Sequence, residues 1–144
     1  MGDIVLNGAT SGSITVTPTA IAGSTTITLP ATSGTVALSS AAQTYTSPQR
    51  GTVTTDNDGS FDMNVTNNFS CTPTGAFTLT FTNITAGQSG YILLVNNANY
   101  AITAAATTKV NAGFLSTVSV TGTYLISYFS NGTNVFCTTS GALS

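Results

Sequence analysis

The sequence predicts an all-β protein: an antiparallel β-sandwich of jelly-roll type over residues 46–144, preceded by an arm of short repeat strands over residues 1–45, the whole forming a trimer. Three observations carry this expectation. Short runs alternate apolar and polar residues along most of the chain, and no apolar period of 3.6 is sustained anywhere. Clusters of Gly, Asn, Asp and Ser separate the runs, the pattern of sandwiches and jelly rolls. Near the C-terminus, two runs rich in β-branched and aromatic residues flank Asn131-Gly132. That pair is favoured in two-residue type I′ hairpins, where both central residues need positive φ.

Taken in order, the arm comes first. Gly12, Gly23 and Gly34 are evenly spaced, and each opens a short alternating strand, with Ile14 and Val16, Ile27 and Leu29, and Val36 and Leu38 as the apolar pairs. Glycine supplies the turn, while Pro18 and Pro30 end their strands because proline cannot donate to a ladder. Each strand has only one thin apolar stripe, so the arm needs a partner: the sandwich, or further copies. Residues 39–49 read as a linker, with a short helix over residues 39–43.

From residue 46 onward strand follows strand. Residues 51–55 form one. Phe61, Met63 and Val65 alternate inward, and Phe69 and Cys71 continue with the same parity. Residues 76–82 show the cleanest period of two. Residues 91–95 are an unbroken apolar run, suited to a strand covered on both faces. A strand around Tyr100 and Ile102 follows, then residues 104–106 as strand or helical turn, then a strand over residues 116–120. In the terminal hairpin Ser130 is expected to face Thr133, Tyr128 to face Val135, and Ile126 to face Cys137, with Asn131 and Gly132 as the loop. Tyr124, Ile126, Tyr128, Val135 and Cys137 then share the core side. Leu125, Phe129 and Phe136 lie on the other side, which is greasier than a solvent face. Residues 138–144 read as a polar tail.

Composition narrows the function. The chain has 144 residues, enough for one domain with a real core. Charged residues make up 4% and the net charge is −2, so the chain carries no electrostatic footprint for nucleic acid or an anionic membrane. Hydroxyls and amides solvate it instead, and such a surface packs against a neighbour with little charge desolvation. The N-terminus lacks a basic region followed by an apolar run, so no signal peptide is read there. With no histidine, a Ser-His-Asp arrangement cannot be built. The one acidic cluster, Asp56, Asp58 and Asp62, resembles a calcium loop. It has Val65 where a closing Glu would sit, and an Asp-rich turn accounts for it. Cys71 and Cys137 both fall on inward faces and are read as a reduced pair. No catalytic, metal or cofactor site is assigned.

Two stretches resemble known proteins. LNGATSG (residues 6–12) with TITLPATSGTVAL (residues 26–38) resembles a segment common in tail-fibre and other virion proteins of tailed bacteriophages. YLISYFSNGTNVFCTTSGAL (residues 124–143) is similar to the ends of phage fibre and head-decoration proteins. The resemblance implies a non-enzymatic virion structural protein, trimeric, assembled in the host cytoplasm. It is expected to be a decoration or cement protein bound to the major capsid protein, or alternatively a tail-fibre or receptor-binding protein contacting host glycan. Leu125, Phe129, Phe136, Ile14, Val16, Ile27 and Leu29 are the expected interface residues, with no nucleic-acid or membrane partner.

Overall fold

A computed structural model of the chain describes residues 4–17, 26, 31, 42, 44–139 and 141–143. The chain divides into two units, Met1–Thr44 and Tyr45–Ser144. In the first, β1 (Ile4–Asn7) and β2 (Ser13–Val16) form an antiparallel hairpin in the register Ile4↔Val16 and Leu6↔Ile14. Its loop closes through a 2.9 Å bond from the Gly8 N–H to the Gly12 carbonyl, with Gly12 at positive φ. The strands expected around Ile27 and Leu29 and around Val36 and Leu38, and the helix over residues 39–43, lie outside the described residues.

The second unit is mostly β, and it is not an antiparallel sandwich. Its first strands are β3 (Val53–Thr55), β4 (Ser60–Asp62), β5 (Asn68–Cys71), β6 (Phe77–Thr82), β7 (Ser89–Asn96) and β8 (Ile102–Ala104). Odd strands pair in parallel with odd strands, β3 with β5 and β5 with β7. Even strands pair in parallel with even strands, β4 with β6 and β6 with β8. The chain therefore winds as a β-solenoid of about three turns, and every turn adds one strand to each of two facing sheets. Parallel strands need a long crossover connection, and here the crossover is the intervening strand of the opposite sheet with its two corners. Alternation along a strand says which side is buried. It does not say which strand lies alongside, so short polar corners read as hairpin turns.

After β8 the winding stops. Strand β9 (Thr108–Val110) leads to helix α1 (Phe114–Val118), which packs on β8 and buries Phe114 and Val118. The region expected to be a strand at residues 116–120 is thus largely helical. Gly113, at φ 82°, sets the chain into that helix. Strand β10 (Gly122–Ser130) then runs antiparallel to β7, and β11 (Val135–Thr138) runs antiparallel to β10 and parallel to β9. The supposed polar tail contributes β12 (Ala142–Leu143), a third partner of β10 after β7 and β11. The large sheet has seven strands and the small one three.

The terminal hairpin keeps the expected faces but not the expected loop. Ser130 pairs with Val135 and Tyr128 with Cys137, so residues 131–134 form the loop. Only Gly132 of its two expected loop residues has positive φ, which excludes type I′. The Asn131 carboxamide oxygen accepts instead from the N–H groups of Thr133 and Asn134, at 3.0 and 2.8 Å. This side-chain turn lengthens the loop by two residues, and a shift of two preserves parity.

One core lies between the sheets. Phe61 and Phe81 from the small sheet meet Phe69 and Tyr128 from the large one, with centroids 5.0 Å apart for Phe61–Phe69 and for Phe81–Tyr128. Met63 is buried, but Val65 turns outward because strand β4 ends at Asp62 and the Val65 N–H bonds back to the Asp62 carbonyl. Gly90 lets the Tyr128 ring pass: a Cβ there would lie 1.6 Å from the Asn67 carbonyl oxygen, to which the Tyr128 hydroxyl donates at 2.8 Å.

The last turn is locked by Asn96, which is fully buried at the end of β7. Its Nδ2 donates to the carbonyls of Tyr100 and Val118, and its Oδ1 accepts from the N–H of Tyr100 and, more weakly, of Ala98. One amide thus joins β7, the corner before β8 and the end of α1. Asn96→Ala leaves the Val118 carbonyl, in a buried bond, and the part-buried Tyr100 carbonyl and N–H without their partner, and a fully buried group left so costs about 1–3 kcal/mol. Urea denaturation should show a loss of roughly 2–4 kcal/mol, and a loss under about 1 kcal/mol would show that Asn96 does not hold the end of the coil.

Candidate assembly surface

The two sheets present different outer faces, because strand alternation sends every second residue away from the core. On the small sheet those residues are Ser60, Asp62, Thr78, Thr80, Thr82 and Thr103, all polar. Thr78 and Thr103 sit directly opposite one another, and their hydroxyls lie 2.9 Å apart. This is a solvated face.

The outer face of the large sheet carries an apolar patch among polar residues, and its rows follow from the register. One row runs Ser89, Phe129, Phe136 and Lys109; the next runs Val53, Asn68, Tyr91, Ser127 and Thr138; a third runs Thr55, Ser70, Leu93 and Leu125. Val95, Thr123 and Leu143 form the last. Tyr91 is 52% exposed, Phe129 51%, Phe136 45% and Leu125 44%. With Leu93 and Leu143, these leave on the order of 500 Å² of apolar surface, the upper end of what monomers leave uncovered. Lys109 is the one charged residue in these rows. It sits on the outermost strand, its ammonium donating to the Ala106 carbonyl at 2.6 Å.

The expected interface residues fall into three groups. Leu125, Phe129 and Phe136 come together on this face. Ile14 and Val16 share one side of the β1–β2 hairpin with Ile4 and Leu6, all exposed. Ile27 and Leu29 lie outside the described residues. Tyr91, Leu93 and Leu143 belong to the surface but were not singled out from the sequence. The signal for the first two was present in the apolar run at residues 91–95. That run is not covered twice as expected: Ile92 and Leu94 are buried, while Tyr91 and Leu93 face outward.

Where β11 parts from β10 the face is indented. Tyr91, Leu125, Ser127, Thr138, Thr139 and Leu143 line an open hollow of about 370 Å³. The gap exists because β11 ends at Thr138 and β12 begins only at Ala142, while the Thr139 hydroxyl bonds to the Leu125 carbonyl at 3.1 Å.

The acidic residues serve the corners. The Asp58 carboxylate accepts from the Ser60 N–H at 2.8 Å, which holds it below the usual carboxylate range. Asp62 accepts from the Asn83 amide at 2.8 Å and the Asn64 N–H at 2.9 Å, and these bonds lower it likewise. Asp56 is raised, first by burial and then by its hydrogen bond with Asp58. Asn57 reaches one turn onward to accept from the Thr72 N–H at 2.7 Å. Among the described residues no group of three or more Cys, Asp or Glu side chains is placed to hold a metal ion, and no helix is long and apolar enough to cross a membrane.

Cys71 on β5 and Cys137 on β11 are both buried and free, with β7 and β10 between their strands. At about 4.8 Å per strand step they are too far apart to bridge. Burial pushes both thiols up to about 12, and burial pushes the Tyr128 phenol to about 12 as well. A group whose proton is held more tightly in the folded state stabilises fully below its unfolded pKa and loses that contribution above it. Stability should therefore be level between about pH 5 and 8.5 and fall between about pH 9 and 12. Urea midpoints across that range check this, and an unchanged midpoint up to pH 11 would contradict it.

No family model, no curated protein and no solved structure matches this chain.

Proposed function

We propose that this chain is a non-enzymatic structural protein of a tailed-phage virion, a capsid decoration or cement protein that binds the assembled shell as a trimer. The observation that carries the reading is the apolar patch on the outer face of the seven-stranded sheet, whose one charged residue, Lys109, sits on the outermost strand. A surface of this size and character is suited to burial against protein. The resemblance of residues 6–38 and 124–143 to phage virion proteins supplies the setting. The β1–β2 hairpin adds a second adhesive element, since a lone two-stranded hairpin with Ile4, Leu6, Ile14 and Val16 exposed is marginal in water. Residues 1–45 then attach the protein to the major capsid protein or to neighbouring subunits, and residues 46–144 carry the core.

A second reading, a tail-fibre or receptor-binding protein contacting host glycan, draws on the parallel coil, because a coil of this kind lengthens by adding turns along one axis. Copy number separates the two. Quantitative mass spectrometry of purified particles should find hundreds of copies per particle, and a handful would favour the fibre. A fragment beginning at Thr46 should unfold cooperatively but fail to enter particles. If it still decorates them, attachment belongs to the β-solenoid and the roles of the two parts are reversed.

A further inference from the structure

We propose that the loop joining β10 to β11 modifies itself. The Gly132 nitrogen attacks the side-chain carbonyl carbon of Asn131, ammonia leaves, and residue 131 becomes aspartate or isoaspartate. Water is the only other reactant.

The loop holds the groups that this reaction uses. Glycine after asparagine leaves the attacking nitrogen without a neighbouring side chain to shield it. At residues 131–134 the Asn131 carboxamide oxygen accepts from the Thr133 N–H at 3.0 Å and from the Asn134 N–H at 2.8 Å. The first bond closes a ring that includes the Asn131 Cγ and the Gly132 nitrogen. It curls the carboxamide carbon back toward that nitrogen, so the two reacting atoms are held in one turn. Two N–H groups on one carbonyl oxygen also form an oxyanion site, for which donors at about 2.7–3.1 Å are needed.

The surroundings keep the turn in place. The Gly87 N–H donates to the Ser130 carbonyl at 2.9 Å, and the Ser130 N–H donates to the Gln88 carbonyl at 2.8 Å. The Asn131 N–H donates to the Asn134 carbonyl at 3.1 Å and closes the loop. The Gly132 N–H donates to the Ser130 hydroxyl oxygen at 3.1 Å, an acceptor on the path of the proton this nitrogen must lose. Residues 131–133 are exposed, so water reaches the reacting carbon.

As the bond from the Gly132 nitrogen to Cγ forms, the carbonyl electron pair moves onto Oδ1, where the Thr133 and Asn134 N–H groups hold it. The pair returns as the Cγ–Nδ2 bond breaks. Nδ2 departs as ammonia, taking up a proton equivalent to the one lost by the Gly132 nitrogen. One water then opens the five-membered imide. Opening at Cγ leaves aspartate on an unchanged main chain. Opening at the main-chain carbonyl leaves isoaspartate, with one more carbon in the main chain. Either product adds a negative charge to a chain of net charge −2. Aspartate keeps both N–H bonds in charge-assisted form, whereas isoaspartate lengthens the loop between strand ends paired at Ser130 and Val135.

The other Asn-Gly pair, Asn7-Gly8, is an internal reference. Its Gly8 N–H donates to the Gly12 carbonyl at 2.9 Å, and Asn7 is a residue of β1 paired with Ser13.

Peptide mapping by mass spectrometry, on the whole chain held at mildly alkaline pH, follows both asparagines over time. Residue 131 should gain the mass of an amide turned to an acid at least about fivefold faster in the folded chain than in the same chain unfolded in urea. A smaller ratio overturns the proposal, and so does modification of residue 7 ahead of residue 131. Thr133→Pro removes one of the two donors at a position that is not at positive φ. It should slow the folded reaction at least about threefold, and a smaller change overturns the role given to the N–H pair. If this variant does not fold, the wild-type ratio of folded to unfolded rates still decides.

Discussion

Each strand of the coil is hydrogen-bonded not to the strand that follows it but to the one after that. This constraint governs the second unit. It requires each corner to carry the chain across the thickness of the core and to release it in register with a strand laid down one turn earlier. The corners meet that requirement with side chains that reach along the coil: Asn57 to the Thr72 N–H, Asp62 to Asn83, and Gln88 to both Asn67 and the Met63 carbonyl. These polar residues take the place of the turn hydrogen bonds a hairpin would have. The acidic cluster that invites a metal reading is part of this stitching.

A parallel coil has open ends, and the two ends of this one differ. At the β8 end, α1 covers the core, Ser119 accepts from the Ile102 N–H at 2.9 Å, and Asn96 ties strand, corner and helix together. Among the described residues no buried side-chain nitrogen or oxygen lacks a hydrogen bond. The antiparallel strands β10 and β11 end the winding by turning back along the sheet, a path no further turn can follow. At the β3 end the first-turn strands are three residues each, and Val53 is exposed on the sheet's outer face. Short edge strands are a common way of blunting an unpaired ladder.

Much of this was legible in the sequence, but at one level only. Alternation identified most of the buried side chains it was read for: Phe61, Met63, Phe69, Cys71, Tyr124, Ile126, Tyr128, Val135 and Cys137 all lie in the core, and Val65 does not. It also placed Leu125, Phe129 and Phe136 on a common outer side. Pairing was not legible, because a parallel neighbour is specified by corner stacking between residues far apart in sequence. Helix α1 was hidden because a five-residue helix is too short to show a period. The hairpin loop was misread because the Asn131 side chain closes a turn that does not need positive φ at Asn131. The strand at Ala142 and Leu143 was missed because two residues carry no pattern of their own.

The contrast between the two outer faces bears most directly on what the molecule is for. Strand alternation produces both, on the parallel strands of the coil and on the antiparallel β10 and β11 alike, and it sends residues outward without regard to their polarity. Six outward positions on the small sheet hold only hydroxyl or carboxylate groups. On the large sheet, Tyr91, Leu93, Leu125, Phe129 and Phe136 stand at equivalent outward positions on the longer strands. Threonine at those places would satisfy the same strand geometry, since its β propensity is high. The apolar choice does nothing for the core, and by exposing greasy surface it raises the risk of aggregation. Such a choice is consistent with a face that is covered when the protein works. The near absence of charge fits the same logic: a surface meant to be buried avoids the cost of desolvating ions, and leaves solubility to hydroxyls on the opposite side.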